Sequence, residues 1–159
     1  MIVYHGSYLI IQKPDISYSK SNLDFGAGFY VTADNVQAKI WAKRKAVRQN
    51  GKPIVNTYNL TDDLSKYKGL VFANEDVLWL DFVAKCRKGN DLYKDYDYVS
   101  GSVANDDVFA TVDMYMRGIW DSERALTEIR YYKTSHQICL INQELIDNEL
   151  KFSNSYEVK

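Results

Sequence analysis

Cysteine is nearly absent from this chain. Cys86 and Cys139 are the only two; they form no CxxC, and each has apolar neighbours. A disulfide framework is therefore excluded, and two core thiols in a reducing, cytoplasmic setting are expected. Proline is as scarce, with two residues, and no repeat, linker or low-complexity segment interrupts the chain. Charge of one sign is lacking too: the net charge of -1 leaves no global basic field to gather nucleic acid. No apolar run is long enough to span a bilayer. No leader is expected, because Met1-Ile2-Val3-Tyr4 runs straight into the first motif. Asp106 and Asp107 have no His or Cys nearby, so they read as helix N-terminal charges and no metal site is expected.

What is there describes one globular domain over 1–159. The 159 residues are 46% hydrophobic and 26% charged, enough to bury roughly two thirds of the unfolded surface. Tyrosine is abundant, with 13 copies; these serve packing, or stacking on a flat ligand.

The pattern predicts strands over 2–5, 28–32, 53–59, 70–73, 97–103, 137–141 and 149–153. Helices are expected from the caps Asp34, Asn74, Asn105 and Asp121 or Ser122, ending near Arg48, Lys88, Arg117 and Tyr132, with a short helix or turn over 142–148. The first helix is expected to bury Val36, Ile40 and Val47, and the second Val77, Leu78, Phe82 and Val83. The result is a mixed α+β domain with strands gathered at both termini.

Three blocks stand out. The first is Tyr4-His5-Gly6-Ser7, a histidine ending a short apolar strand beside a glycine that lets a ligand approach the backbone. The second is Asp24-Phe25-Gly26-Ala27-Gly28-Phe29-Tyr30-Val31-Thr32, with two glycines before a strand whose Tyr30 lies opposite in face to Phe29 and Val31. Trp41 follows eleven residues after Tyr30. The third is the late strand His136-Gln137-Ile138-Cys139-Leu140-Ile141.

Together these blocks resemble the ADP-ribosyltransferase superfamily, in which "YHGS/T" and "FGxGxYxT/A" pair to form the nicotinamide half of an NAD pocket. Over about residues 3–152 the chain also resembles a small bacterial DUF3990-like family. That likeness rests on the blocks above, on Gln37-Ala38-Lys39-Ile40-Trp41-Ala42 and on Tyr96-Asp97-Tyr98-Val99-Ser100-Gly101-Ser102-Val103-Ala104-Asn105-Asp106. The superfamily resemblance implies a split β-sheet core with peripheral helices and NAD as substrate. It also implies site roles: His5 and Ser7 on ribose, Gly6 on the nicotinamide amide through its backbone, and Tyr30 and Trp41 sandwiching the ring, with Gly28 and Phe29 framing it. Gln137 stands where the superfamily has a glutamate. It keeps the acceptor oxygen and lacks the charge. Glu128 is the nearest alternative carboxylate.

The resemblance implies mono-ADP-ribosyl transfer to a macromolecule, protein or nucleic acid. A toxin with a neutralising antitoxin partner fits by analogy. Two other readings stay open: a binding module that keeps the pocket without catalysis, and a phosphotransferase relative acting on RNA 2′-phosphates. Lys39, Lys43, Arg44, Lys45, Arg48 and Lys52 form either a solvated helix face or an anion-facing field beside the pocket.

Overall fold

In chain order the elements are β1 (Ile2–Ser7), β2 (Phe29–Val31), α1 (Asn35–Gln49), β3 (Ile54–Leu60), β4 (Gly69–Val71), α2 (Val77–Arg87), β5 (Tyr98–Ser102), α3 (Asp106–Met116), α4 (Ser122–Ile129), β6 (His136–Leu140), α5 (Gln143–Glu149) and β7 (Leu150–Glu157). The computed structural model describes residues 1–159. Three strands form one antiparallel sheet in the order β1-β3-β7, and four form a second in the order β2-β6-β5-β4. Only β4 and β5 run parallel. The fold is thus α+β, with five helices over two sheets.

One backbone bridge joins the two sheets. Tyr4 and Thr32 exchange both backbone hydrogen bonds, at 2.8 and 3.0 Å. No second bridge joins β1 to β2, so the strands part beyond that point.

Helix starts follow side-chain caps. Asp34 accepts from Val36 and Gln37, Asn105 from Val108, Asp121 from Arg124, and Asn142 from Glu144. The second helix departs from expectation. Its cap is Asp76, which accepts from the Trp79 N–H at 3.0 Å, because the Glu75 carboxylate is held by the Ser102 and Thr134 hydroxyls. The expected run into Tyr132 stops at Ile129. β7 continues to Glu157, four residues past the expected end, because β3 offers a ladder up to that point.

The buried face of α1 is also different. Val36, Ile40 and Val47 are exposed, Val47 at 83%, while Gln37, Ala38, Ala42 and Ala46 are buried. The helix lies so close on β1 that only small side chains fit between them. Val77 and Leu78 are exposed as well, and α2 buries Trp79, Leu80, Phe82, Val83, Ala84 and Cys86.

The larger core cluster lies between α2, α3, α4 and the second sheet, and includes Trp79, Leu80, Val83, Val108, Val112 and Cys139. A second fills the other face, with Val3, Phe29, Val31, Tyr58 and Leu140. Both cysteines are free and buried. Burial pushes the Cys86 thiol up to about 12 and Cys139 further in the same direction, so neither is a nucleophile at neutral pH.

Candidate functional site

The parting of β1 from β2 creates the site. Alternate residues of an antiparallel strand point their N–H and C=O to the same edge. Tyr4 spends its pair on Thr32, so Gly6, two residues on, presents its own pair to the same edge where β2 has left. Tyr30 faces that edge from the other side, being two residues from Thr32 along β2. Gly6 is glycine for a further reason. A β-carbon there would lie 2.5 Å from the Ala42 nitrogen and nearer still to the Ala38 carbonyl.

His5 fills part of the gap. Its ring is buried, stacked on Phe29 with centroids 4.2 Å apart. Nδ1 donates to the Tyr30 carbonyl at 2.6 Å, since a carbonyl only accepts. Nε2 is therefore the lone-pair nitrogen, and Lys45 Nζ lies 3.2 Å from it. Burial, then the Lys45 cation, hold the imidazole well below its usual pKa, against a smaller upward pull from the Tyr30 carbonyl. Burial also brings Lys45 down to about 8. Ser7 is buried, and its hydroxyl accepts from the Leu9 N–H at 3.3 Å.

Tyr30 and Phe29 lie on opposite faces of β2, as the alternation requires. Phe29 joins the cluster around Val3 and Leu140, and Tyr30 packs against the one around Cys139. The Tyr30 hydroxyl donates to the Gly26 carbonyl at 2.6 Å and accepts from the Phe25 N–H at 3.0 Å, tying the preceding loop to the strand. The two glycines of that loop serve internal packing rather than ligand approach. Gly26 has φ of +79° beneath the Tyr93 ring, and a β-carbon on Gly28 would come 2.5 Å from Cys139 Sγ. Trp41 is half-buried on α1, its β-carbon 2.9 Å from where one would stand on Gly6. It therefore borders the parted edge.

Gln137 shares the face of Cys139 and Tyr30, which are paired across β6 and β2. His5 comes from the Phe29 face and reaches this group only through the Tyr30 carbonyl. His5 and Tyr30 thus meet at the Tyr30 carbonyl, while Gln137 lies on the opposite face from His5, bonded to Asp24, and is not brought together with it. Gln137 is 2% exposed, and its Nε2 donates to Asp24 Oδ2 at 2.9 Å. The same carboxylate accepts from the Ala104 N–H at 2.9 Å and from Arg87, whose Nε lies 2.8 Å from Oδ1. Arg87 in turn lies over the Phe109 ring at 4.3 Å.

Asp24, Arg87 and Lys45 are the residues that sequence reasoning missed. The signal for Asp24 was a carboxylate inside an otherwise apolar, glycine-rich block. Nothing in the pattern separated Lys45 from its cationic neighbours. Of those, Arg44 pairs with Asp106 at 2.9 Å and Lys52 with Glu157 at 3.1 Å. Glu128 faces Arg124 at 3.9 Å on α4, which packs against α2 and α3. No group of three or more His, Cys, Asp or Glu is placed to hold a metal ion, and no helix is long and apolar enough to cross a membrane. Two surface depressions, of about 460 and 550 Å³, lie elsewhere, beside Asp81 and Tyr115 and beside Lys43 and Pro53.

The chain belongs to the family described as "Protein of unknown function (DUF3990)", which it matches over residues 1–152. No curated protein and no solved structure matches it.

Proposed function

We propose that this protein is an NAD-dependent mono-ADP-ribosyltransferase acting on a macromolecule. The observation that carries the reading is the parted β1/β2 edge. It sets Gly6's free N–H and C=O beside a neutral histidine, a buried-side lysine and a half-buried tryptophan. A carboxamide such as that of nicotinamide needs one donor and one acceptor side by side, which an unpaired strand edge supplies. Trp41 offers a π-face for the ring, and Tyr30 borders the same edge. Lys45 spends one of three N–H donors on His5 and keeps two for ribose hydroxyls or pyrophosphate.

In the reaction, the bond from ribose C1″ to the nicotinamide nitrogen breaks. Its electron pair leaves with nicotinamide and cancels the pyridinium charge. The target nucleophile supplies a pair to C1″ and releases a proton to solvent. Gln137 contributes an acceptor oxygen toward the ribose 2′-hydroxyl. Negative charge near the developing oxocarbenium would stabilise it more. The neutral, tightly held Gln137 therefore also favours a second reading, a module that binds NAD or ADP-ribose without turnover.

The test is incubation with labelled NAD and whole-cell extract, followed by separate protease and nuclease digestion. Label in one fraction names the target class, and nicotinamide release separates transferase from binding module. No label and no release, with NAD bound, leaves the module reading; no binding at all removes both. An antitoxin partner, if the protein is a toxin, would be recovered as a co-purifying suppressor of the label.

A further inference from the structure

The carboxamide of Gln137 is held in one orientation. Asp24 Oδ2 can only accept, so the atom 2.9 Å from it is the nitrogen. The carboxylate is itself fixed, with Arg87 on one oxygen and the Ala104 N–H on the other. The opposite end of the amide, Oε1, makes no hydrogen bond within the chain. No buried side-chain oxygen or nitrogen lacks a partner, so Oε1 keeps the small solvent contact of a residue only 2% exposed. Gln137 stands on the Tyr30 face of the second sheet, beside Gly101 of β5 and level with the Thr32 end of β2.

We infer that Asp24 is a positioning residue for the proposed transfer, holding the Gln137 nitrogen inward so that its oxygen alone faces the reacting ribose. The inference rests on the ADP-ribosyltransferase reading. It also accounts for the residue type. With an acceptor-only carboxylate behind it, position 137 needs a donor on its inner side and an acceptor on its outer side. Glutamine supplies both. An ionised carboxylate there would stand at hydrogen-bond distance from Asp24, and like charges that close share a proton.

The experiment measures nicotinamide release from NAD by the full chain, with kcat and KM resolved and thermal unfolding run alongside. Wild-type release is the premise; its absence overturns the ADP-ribosyltransferase reading itself. With release present, Asp24→Ala is expected to lower kcat about a hundredfold with KM little changed, because nothing then holds the Gln137 nitrogen inward. Asp24→Asn should keep kcat within about tenfold of wild type, since its amide oxygen stays on the Ala104 N–H and still accepts from Gln137. Gln137→Glu alone should work at low pH, where its shared proton bridges to Asp24, and lose kcat as pH rises. Wild-type kcat in folded Asp24→Ala overturns the inference. So does a folded Asp24→Asn as impaired as Asp24→Ala, or a Gln137→Glu enzyme whose kcat climbs with pH. If Asp24→Ala does not fold, the Gln137→Glu pH profile decides.

Discussion

Lys45 Nζ stands 3.2 Å from His5 Nε2 across the contact of α1 with β1, so a cation is held against a ring kept neutral. The histidine lies well below its usual 6.5, through burial first and the lysine second. Lys45 is brought from 10.5 to about 8 by burial. In both windows the unfolded chain binds more protons than the folded one, so stability rises with pH. It should weaken as pH falls below 6.5 toward the lowered histidine value, and strengthen as pH climbs from 8 toward 10.5. Denaturant midpoints across pH test this. Lys45→Met should abolish the upper slope and raise the His5 pKa, read by NMR titration. An unmoved His5 titration would contradict the pairing.

Gly6→Ala should be among the most damaging small substitutions. Its β-carbon meets helix backbone at 2.5 Å or less, and backbone cannot swing aside, so α1 must lift from β1. Overpacking of this kind costs about 1–3 kcal/mol or more. Gly118→Ala meets nothing within 4 Å and carries only the strain of φ +71°, about 1 kcal/mol. Thermal unfolding should rank Gly6→Ala clearly below Gly118→Ala; equal losses would mean that the helix–strand contact is loose.

Ligand binding separates the aromatics. Trp41→Ala and Tyr30→Ala should each weaken NAD by about 0.5–1.5 kcal/mol beyond lost area, measured by calorimetry. Tyr30→Phe keeps the ring and removes the hydroxyl's bonds to Gly26 and Phe25. It should cost about 1 kcal/mol of stability while sparing NAD affinity. Wild-type binding by both alanine variants would assign the rings to packing alone.

Arg87→Met leaves the nearly enclosed Asp24 carboxylate without its cation. A loss of about 3 kcal/mol is expected. Adding Asp24→Asn removes the stranded charge, so the double variant should lose less than the two singles summed. Strict additivity in urea unfolding would show that the pair is not coupled.

Much of the local structure was written in the chain. Asp34, Asn105 and Asp121 marked helix starts because a short polar oxygen placed before an apolar-periodic run can satisfy free N–H groups whatever lies around it. The alternation of Phe29, Tyr30 and Val31 set their faces because strand geometry permits nothing else. Two isolated cysteines in apolar surroundings marked core thiols for the same local reason.

Other features depended on what came close in space. Val36, Ile40 and Val47 have helical spacing and hydrophobicity, yet the alanines won, because Gly6 draws α1 onto β1 and leaves no room for branched side chains. Asp76 displaced Asn74 as a cap because Glu75 is engaged by Ser102 and Thr134, residues 27 and 59 positions away. The site divides in the same way. The resemblance of three short blocks to a known superfamily singled out His5, Gly6, Tyr30, Trp41 and Gln137 as candidates. That Lys45 meets His5 was decided only when α1 packed on β1, and that Asp24 holds Gln137 across 113 residues only when β2 paired with β6. A hydrogen bond depends on distance in space, and sequence carries no distance until the chain has folded.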